Sequence, residues 1–507
     1  MPKFRKILIA NRGEIAIRVM RTCRELGIST VAIYSEADRA SLHVRSADQA
    51  FCVGPAPSRD SYLAIDSILQ AAKQSKADAI HPGYGFLSEN PSFVRACERA
   101  GFAFIGPPAS AMEAMGEKTR ARSLMTRAGV PIVLGTTEAL ASPEEGLRVA
   151  QKIGFPVMLK AAGGGGGKGM RRVDRIQDFA AAWRGAKSES LNAFGNDAVY
   201  IEKYLEEPHH VEIQIFADTY ANCVHLNERE CSAQRRHQKV IEETPSTIVS
   251  PALREAMGRV AVRAARAVGY IGAGTVEFLI DAHRNFYFLE MNTRLQVEHP
   301  ITEWVLGQDL VAWQIKVAEG ERLPFTRTLS PRGHAVEARV YAEDPSRNFL
   351  PSPGEIRSLR PPSGPWVRVD SGVDSGSEVS SYYDPMISKV SAWGPTRPEA
   401  IARLDRALGE YVIQGITTNI PFLRAILAHP RFLNGNYDTG FLPSEHQVLT
   451  ASADQKLEQV ALIAAAVFSQ DKALKRAVPT AGGLQRGLSP WRLGARAAGR
   501  RKVPEGW

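Results

Sequence analysis

A chain of 507 residues, 44% hydrophobic and 23% charged, has the composition of an ordinary folded protein and the length for about three domains. Its net charge of +9 suggests a polyanion partner, but nine Lys/Arg and no Asp/Glu fall in residues 472–502 and the rest is balanced, so the basicity is a solvated tail and nucleic acid is not an expected partner. No apolar run approaches the ~20 residues of a membrane helix, Ile7–Ala10 is too short for a signal peptide, and the five scattered cysteines lack CxxC spacing, so reduced thiols and a cytoplasmic location without membrane contact are expected.

Residues 1–115 alternate short apolar runs, Lys6–Ala10, Thr30–Ser35, Ala50–Val53, Ala79–His81 and Phe104–Gly106, with helical patterns such as Glu14–Leu26 and Ser61–Ser75. That alternation predicts a doubly wound parallel sheet. Asn11-Arg12-Gly13 stands where a dinucleotide fingerprint would, but its single glycine does not make GxGxxG. His81-Pro-Gly-Tyr-Gly-Phe86 follows a strand, at the edge where ligands gather in such sheets, although taken alone it reads better as a turn with packed aromatics. One helix is expected over 116–130, ending at Gly129, with Lys118 near its start.

The strand Phe155–Lys160 runs into five consecutive glycines, Gly163–Gly167, closed by Lys168. Such a run is costly to order, yet its N–H groups can close over phosphate oxygens. The spacing is not GxxxxGK[ST], so a mobile phosphate-covering lid is expected rather than a P-loop. Tyr200–Leu205 reads as a strand whose edge, with Glu202, could meet an adenine; His209–Gln214 follows. The polar run Glu228–Lys239 carries Arg229, Arg235, Arg236, His237 and Lys239 and suits an anion; its His/Cys spacing argues against zinc. Leu253–Val268 is an amphipathic helix stopped by Gly269.

Thr275–Pro300 is the most informative stretch. Two apolar runs flank Asp281–Asn285, predicting an antiparallel hairpin with Glu277 on one strand and Glu290 and Asn292 on the other. Carboxylates on apolar strands need a partner or a cation, and two of them with an amide oxygen suit Mg²⁺ or Mn²⁺. Arg294, Gln296 and Glu298 alternate beyond them, giving an anion clamp and a candidate base. Ile301–Glu319 reads as one helix. Gly333–Tyr341 and Asp384–Trp393 read as strands and Pro398–Gly409 as a helix, around a Pro/Gly/Ser-rich stretch at Pro351–Val379, giving an α+β region to about 446. A helix over Asp454–Ser469 and the basic tail complete the chain.

The ordered set NRGEIA, HPGYGFLSEN, KAAGGGGGKGM, EKYL, ERECSAQRRHQK and EMNTRLQVEHP strongly resembles the biotin carboxylase component of biotin-dependent acyl-CoA carboxylases over roughly residues 1–446. The resemblance implies a doubly wound N-terminal domain (1–115), an ATP-grasp domain (116–330, lid about 132–204), an α+β C-terminal carboxylase domain (331–446) and a tail (447–507) that docks a partner through the region of Ser489-Pro-Trp-Arg. It implies ATP, two Mg²⁺ or Mn²⁺ ions, bicarbonate and biotin as reactants, with carboxyphosphate as intermediate. It matches Lys118, Lys160, Gly165, Gly166, Gly167, Glu202, Leu205, His210, Gln234, His237, Glu277 and Glu290 to ATP binding, and Glu277, Glu290 and Asn292 to the metal. Arg294, Gln296 and Val297 match the bicarbonate pocket, Glu298 the base, Lys239 its orienting cation, Arg339 the group that stabilises the biotin enolate, and Tyr84 the biotin pocket. With no Ala-Met-Lys-Met site in the sequence, the implied partners are a separate biotin carboxyl carrier protein and a carboxyltransferase, and the implied oligomer a homodimer. The acyl acceptor, acetyl-CoA for fatty acid biosynthesis being one case, is set by the carboxyltransferase. The competing readings are another bicarbonate- or carboxylate-activating ATP-grasp ligase, a nucleic-acid binder acting through its tail, and a catalytically dead scaffold.

Overall fold

The computed structural model describes residues 3–162, 169–450 and 463–468, and the chain divides into two compact units, Met1–Thr450 and Ala451–Trp507. Near the N-terminus, β1 (Lys6–Ile9), β2 (Ser29–Ser35), β3 (Gln49–Gly54), β4 (Ala79–His81) and β5 (Ala103–Phe104) form a wholly parallel sheet in the order β3-β2-β1-β4-β5. Both faces are covered, which is why Ile7, Leu8 and Ile9 of β1 are all apolar rather than alternating with polar residues. Ile7 and Ile9 pack with Ile15 and Val19 of the helix Gly13–Glu25, while Leu8 packs with Ile68 and Phe93 on the other face.

A second, antiparallel sheet contains β6 (Val157–Ala161), β7 (Met170–Val173) and β8 (Val199–Lys203), in the order β7-β6-β8. Its core is Leu140, Leu159, Phe179 and Trp183. The expected glycine lid joins β6 to β7, and Gly163–Gly167 with Lys168 lie outside the described residues.

The main sheet is antiparallel and eight-stranded. It comprises β9 (His209–Ala217), β10 (Cys223–Arg235), β11 (Gln238–Thr244), β12 (Gly272–Ile280), β13 (Phe286–Asn292), β14 (His334–Tyr341), β15 (Val367–Ser371) and β16 (Met386–Gly394), ordered β13-β12-β9-β10-β11-β14-β16-β15. The pairing Ile241↔Ala338 between β11 and β14 carries the sheet across residue 331 without a break.

Three local expectations change. The stretch 116–130 is the helix Lys118–Arg127, cut from Ala109–Gly116 by an extended Glu117 (φ −105°, ψ 120°). Ile301–Glu319 is two helices, His299–Leu306 and Leu310–Ala318. Gly307 takes a left-handed φ of +64° and the Asp309 carboxylate accepts from the Ala312 N–H at 2.8 Å, so the second helix starts afresh although the apolar spacing runs on. The polar run Glu228–Lys239 is the hairpin β10–β11. Its two-residue loop places both Arg236 (φ +50°) and His237 (φ +65°) in the left-handed region, where hairpins ordinarily use Asn-Gly.

Gly372 shows how tightly the parts of the first unit meet. A Cβ there would stand 2.8 Å from the Glu14 nitrogen and 3.0 Å from the Gly13 carbonyl carbon, both backbone atoms. Gly372→Ala should therefore cost about 1–3 kcal/mol, read as a lower urea midpoint.

Among the described residues no helix is long and apolar enough to cross a membrane. In the second unit, residues 463–468 are helical and expose Ile463, Val467 and Phe468. The rest of the expected Asp454–Ser469 helix and the basic tail lie outside the described residues.

Candidate active site

The hairpin β12–β13 positions the expected metal ligands. Glu277 and Glu290 are direct cross-strand partners, with a bulge after Glu277, and Asn292 lies opposite Thr275. Asn292 Nδ2 donates to Glu277 Oε1 at 2.9 Å, and Arg294 Nη2 donates to Asn292 Oδ1 at 3.0 Å. Lys118 Nζ is 3.5 Å from Glu290 Oε2, and His210 Nε2 is 3.0 Å from Glu277 Oε2. The donor set toward the cavity is all oxygen and carries two carboxylates, which fits a hard divalent cation such as Mg²⁺.

Lys239 joins Glu277 of this hairpin to Gln296 and Glu298 beyond it. Its Nζ donates to Glu212 Oε2 (2.6 Å), Glu277 Oε1 (2.8 Å), Gln296 Oε1 (3.1 Å) and Glu298 Oε1 (2.7 Å). An ammonium has three hydrogens, so four acceptors must share them. Burial disfavours the charge, but Glu212, Glu277 and Glu298 together push the Lys239 pKa well above its ordinary value. Glu298 is also held by Arg339 Nη2 at 2.9 Å. Burial would raise its pKa, yet Lys239 and Arg339 outweigh that and hold it far below the usual carboxylate range. Arg339 Nε donates to Glu242 Oε1 at 2.5 Å; burial lifts Glu242 to about 7 in spite of Arg339.

Beneath Lys239 lies Arg229, fully buried. Its guanidinium donates to Glu212 Oε1 (2.5 Å), Gln214 Oε1 (2.7 Å), Thr302 Oγ1 (2.9 Å) and Thr275 Oγ1 (3.1 Å). Glu212 thus carries Lys239 on one oxygen and Arg229 on the other. At the expected adenine end, Glu202 Oε1 accepts from Arg122 Nη1 at 2.5 Å and its other oxygen pairs with Lys160.

A cavity of about 800 Å³ is lined by Lys118, Lys160, Glu202, Leu205, His210, Gln234, His237, Lys239, Glu277, Glu290, Asn292, Arg294, Gln296, Val297, Glu298 and Arg339, so residues from distant parts of the chain converge. Tyr84, expected at the biotin pocket, does not line this cavity, and its hydroxyl is buried without a hydrogen-bond partner among the described residues. The loop after β4 carries it, with Lys389 Nζ 5.6 Å from its ring centre. Arg235 likewise turns from the expected anion role, pairing with Glu343 at 2.8 Å and stacking 3.8 Å from the Phe349 ring centre.

Sequence reasoning missed Glu89, Arg122, Glu212 and Glu242, and it read Arg229 as an anion contact where the structure buries it against Glu212, Gln214, Thr275 and Thr302. Glu89 Oε2 accepts from Arg294 Nε at 2.8 Å and so fixes the Arg294 guanidinium. A signal for Glu212 was present: His210, Glu212 and Gln214 alternate on one face of an otherwise apolar strand. Arg122 offers no such pattern.

Family models described as "Biotin carboxylase, N-terminal domain", "Carbamoyl-phosphate synthase L chain, ATP binding domain" and "Biotin carboxylase C-terminal domain" match residues 3–112, 117–326 and 337–444. The chain is 53% identical over 440 residues to Biotin carboxylase 1 of Bacillus subtilis, covering 86% of this chain and 98% of that one. The chain belongs to the biotin carboxylase family. A solved biotin carboxylase domain dimer of the Hydrogenobacter thermophilus 2-oxoglutarate carboxylase, in complex with MgADP, ADP and bicarbonate, superposes with a TM-score of 0.85 at 44% identity, covering 89% of this chain and 99% of that one. The mitochondrial methylcrotonoyl-CoA carboxylase subunit alpha of Dictyostelium discoideum is 51% identical over 92% of this chain and 67% of its own length. As a biotin carboxylase the protein catalyses ATP-dependent carboxylation of biotin, the first half-reaction of biotin-dependent carboxylases, using ATP and Mg²⁺.

Proposed function

We propose that bicarbonate binds between Arg294, Gln296 and Val297, that Glu298 takes its proton, and that Arg339 later offsets charge on the ureido oxygen of biotin. The observation that carries this reading is the single Lys239 ammonium held by both Glu277 and Glu298, which fixes the cation end and the base a few ångströms apart. Two Mg²⁺ ions held by Glu277, Glu290 and Asn292 would neutralise charge on the ATP phosphates. Lys118, Lys160 and His237 contact the nucleotide, and Arg294, aimed by Glu89, holds the bicarbonate in line. Glu298 alone is a weak base because two cations hold it low. A bicarbonate anion beside Lys239 takes up part of that field and raises the proton affinity of Glu298.

The biotin on a carrier protein, a carboxyltransferase partner and a homodimer belong to the same proposal, as do domains at 1–115, 116–330 and 331–446. Support comes from a relative named as a subunit alpha and from the domain dimer in the solved relative. Relatives named for methylcrotonoyl-CoA and 2-oxoglutarate argue that the acceptor, acetyl-CoA included, is chosen by the partner rather than by this chain. The five unpaired cysteines support a cytoplasmic site of action.

Arg339→Met tests the division of labour. Glu242, already near 7, can neutralise when its partner is lost, so the fold should hold. Carboxybiotin formation should fall by about 10²-fold or more, with bicarbonate-dependent ATP hydrolysis kept within about tenfold. Equal loss of both activities would refute a role for Arg339 specific to biotin.

A further inference from the structure

Lys389 on β16 is 1% exposed and is not among the cavity-lining residues. Its Nζ donates to the Val297 carbonyl at 2.5 Å, lies 3.6 Å from Glu14 Oε2 and faces the Tyr84 ring. The strand register sets Lys389 directly opposite Arg339 on one side and Asp370 on the other, so these side chains share a face of the sheet. Glu14 and Glu337 in the same group are buried, and among the described residues neither carboxylate has a hydrogen-bond partner. Such a cluster is expensive to desolvate, and an apolar side chain would fill the same volume more cheaply. What the ammonium adds is a short, charge-assisted bond to one backbone carbonyl, that of the residue before Glu298.

That carbonyl has no substitute donor at hand. The neighbouring Gln296 carbonyl is taken by His299, through Nδ1 at 2.7 Å and the backbone N–H at 3.3 Å, and among the described residues no backbone N–H donates to Val297 O. The peptide is planar, so fixing Val297 O also fixes the plane that delivers Glu298, itself the cap residue of the helix His299–Leu306. We propose that Lys389 is a positioning residue for bicarbonate: it reaches from β16, braced by Glu14 and Tyr84 of the N-terminal region, and sets the Val297–Glu298 peptide against the anion. This rests on the assignment of Arg294–Glu298 as the bicarbonate-binding segment. It also gives Tyr84 a place in the site, as support for Lys389 rather than as cavity wall.

The experiment measures KM for bicarbonate and for ATP, with kcat, in the full chain. Lys389→Met is paired with Glu14→Gln in one variant, which keeps the buried charge balanced while removing the donor. The expected result is a bicarbonate KM raised about tenfold, with the ATP KM within about twofold of the parent. An unchanged bicarbonate KM in the folded variant, or equal rises in both KM values, would overturn the proposal, the second because a merely structural fault spreads over both substrates. If the double variant does not fold, Lys389→Arg decides. The bulkier head cannot occupy the same 2.5 Å position between Glu14 and Tyr84, so the bicarbonate KM alone should rise, and parental values would refute the role. Glu298→Gln in parallel separates the two levels. If it retains bicarbonate-dependent hydrolysis, the segment assignment and the inference both fall; if it loses hydrolysis while the Lys389 variants keep the parental bicarbonate KM, the inference alone falls.

Discussion

Glu298→Gln should abolish bicarbonate-dependent ATP hydrolysis and leave ATP binding intact. The substitution keeps size and shape, and the cations it partly strands retain other anions: Lys239 keeps Glu212 and Glu277, and Arg339 keeps Glu242. What is lost is a carboxylate able to take a proton, since an amide oxygen is too weak a base for the task. General-base removal should lower turnover by about 10²–10⁴-fold. The residues expected at the nucleotide, Lys118, Lys160, Leu205 and His237, do not touch Glu298, so a fluorescent nucleotide titration should return the parental Kd. Turnover within a few-fold of the parent would rule Glu298 out as the base.

Arg229→Met gives the largest expected loss of stability. The guanidinium has no exposed surface and satisfies Glu212, Gln214, Thr275 and Thr302 at once. Methionine fills much of the volume but leaves Glu212 buried with Lys239 as its one remaining cation. Removing one partner of such a pair costs about 3–5 kcal/mol. Urea unfolding followed by far-UV circular dichroism should show the shift. Adding Glu212→Gln should recover part of it, because the stranded charge, not the lost volume, is the larger fault. No recovery in the double variant would mean that packing dominates.

The legibility of this chain in its sequence follows the kind of signal each residue leaves. The parallel sheet and the β12–β13 hairpin announce themselves by apolar spacing, and Glu277, Glu290 and Asn292 stand out because charges on apolar strands need a reason. The β10–β11 hairpin does not read as strand, because its buried positions Glu228, Arg229 and Glu230 are charged and are satisfied by one another's neighbours rather than by apolar packing. The two-helix break at Gly307 is hidden for the opposite reason: apolar periodicity continues through it while a cap residue ends the first helix. Arg122 and Glu89 were out of reach altogether, since each matters through a partner dozens to hundreds of residues away, Glu202 and Arg294. The family resemblance supplied the roles of the cavity residues, but nothing in it pointed to the cations and carboxylates one layer below.

The unbroken main sheet has a mechanical consequence. Glu290 on β13 and Arg339 on β14 are tied through consecutive ladders of β12, β9, β10 and β11, whereas β6, β7 and β8 belong to a separate sheet. The span between Glu290 and Arg339 therefore behaves as one stiff plate, and changing it would mean bending or tearing five ladders. The small sheet can shift without breaking any of them. Any movement of the small sheet therefore leaves the span from Glu290 to Arg339 unchanged, because that span lies wholly within the larger one.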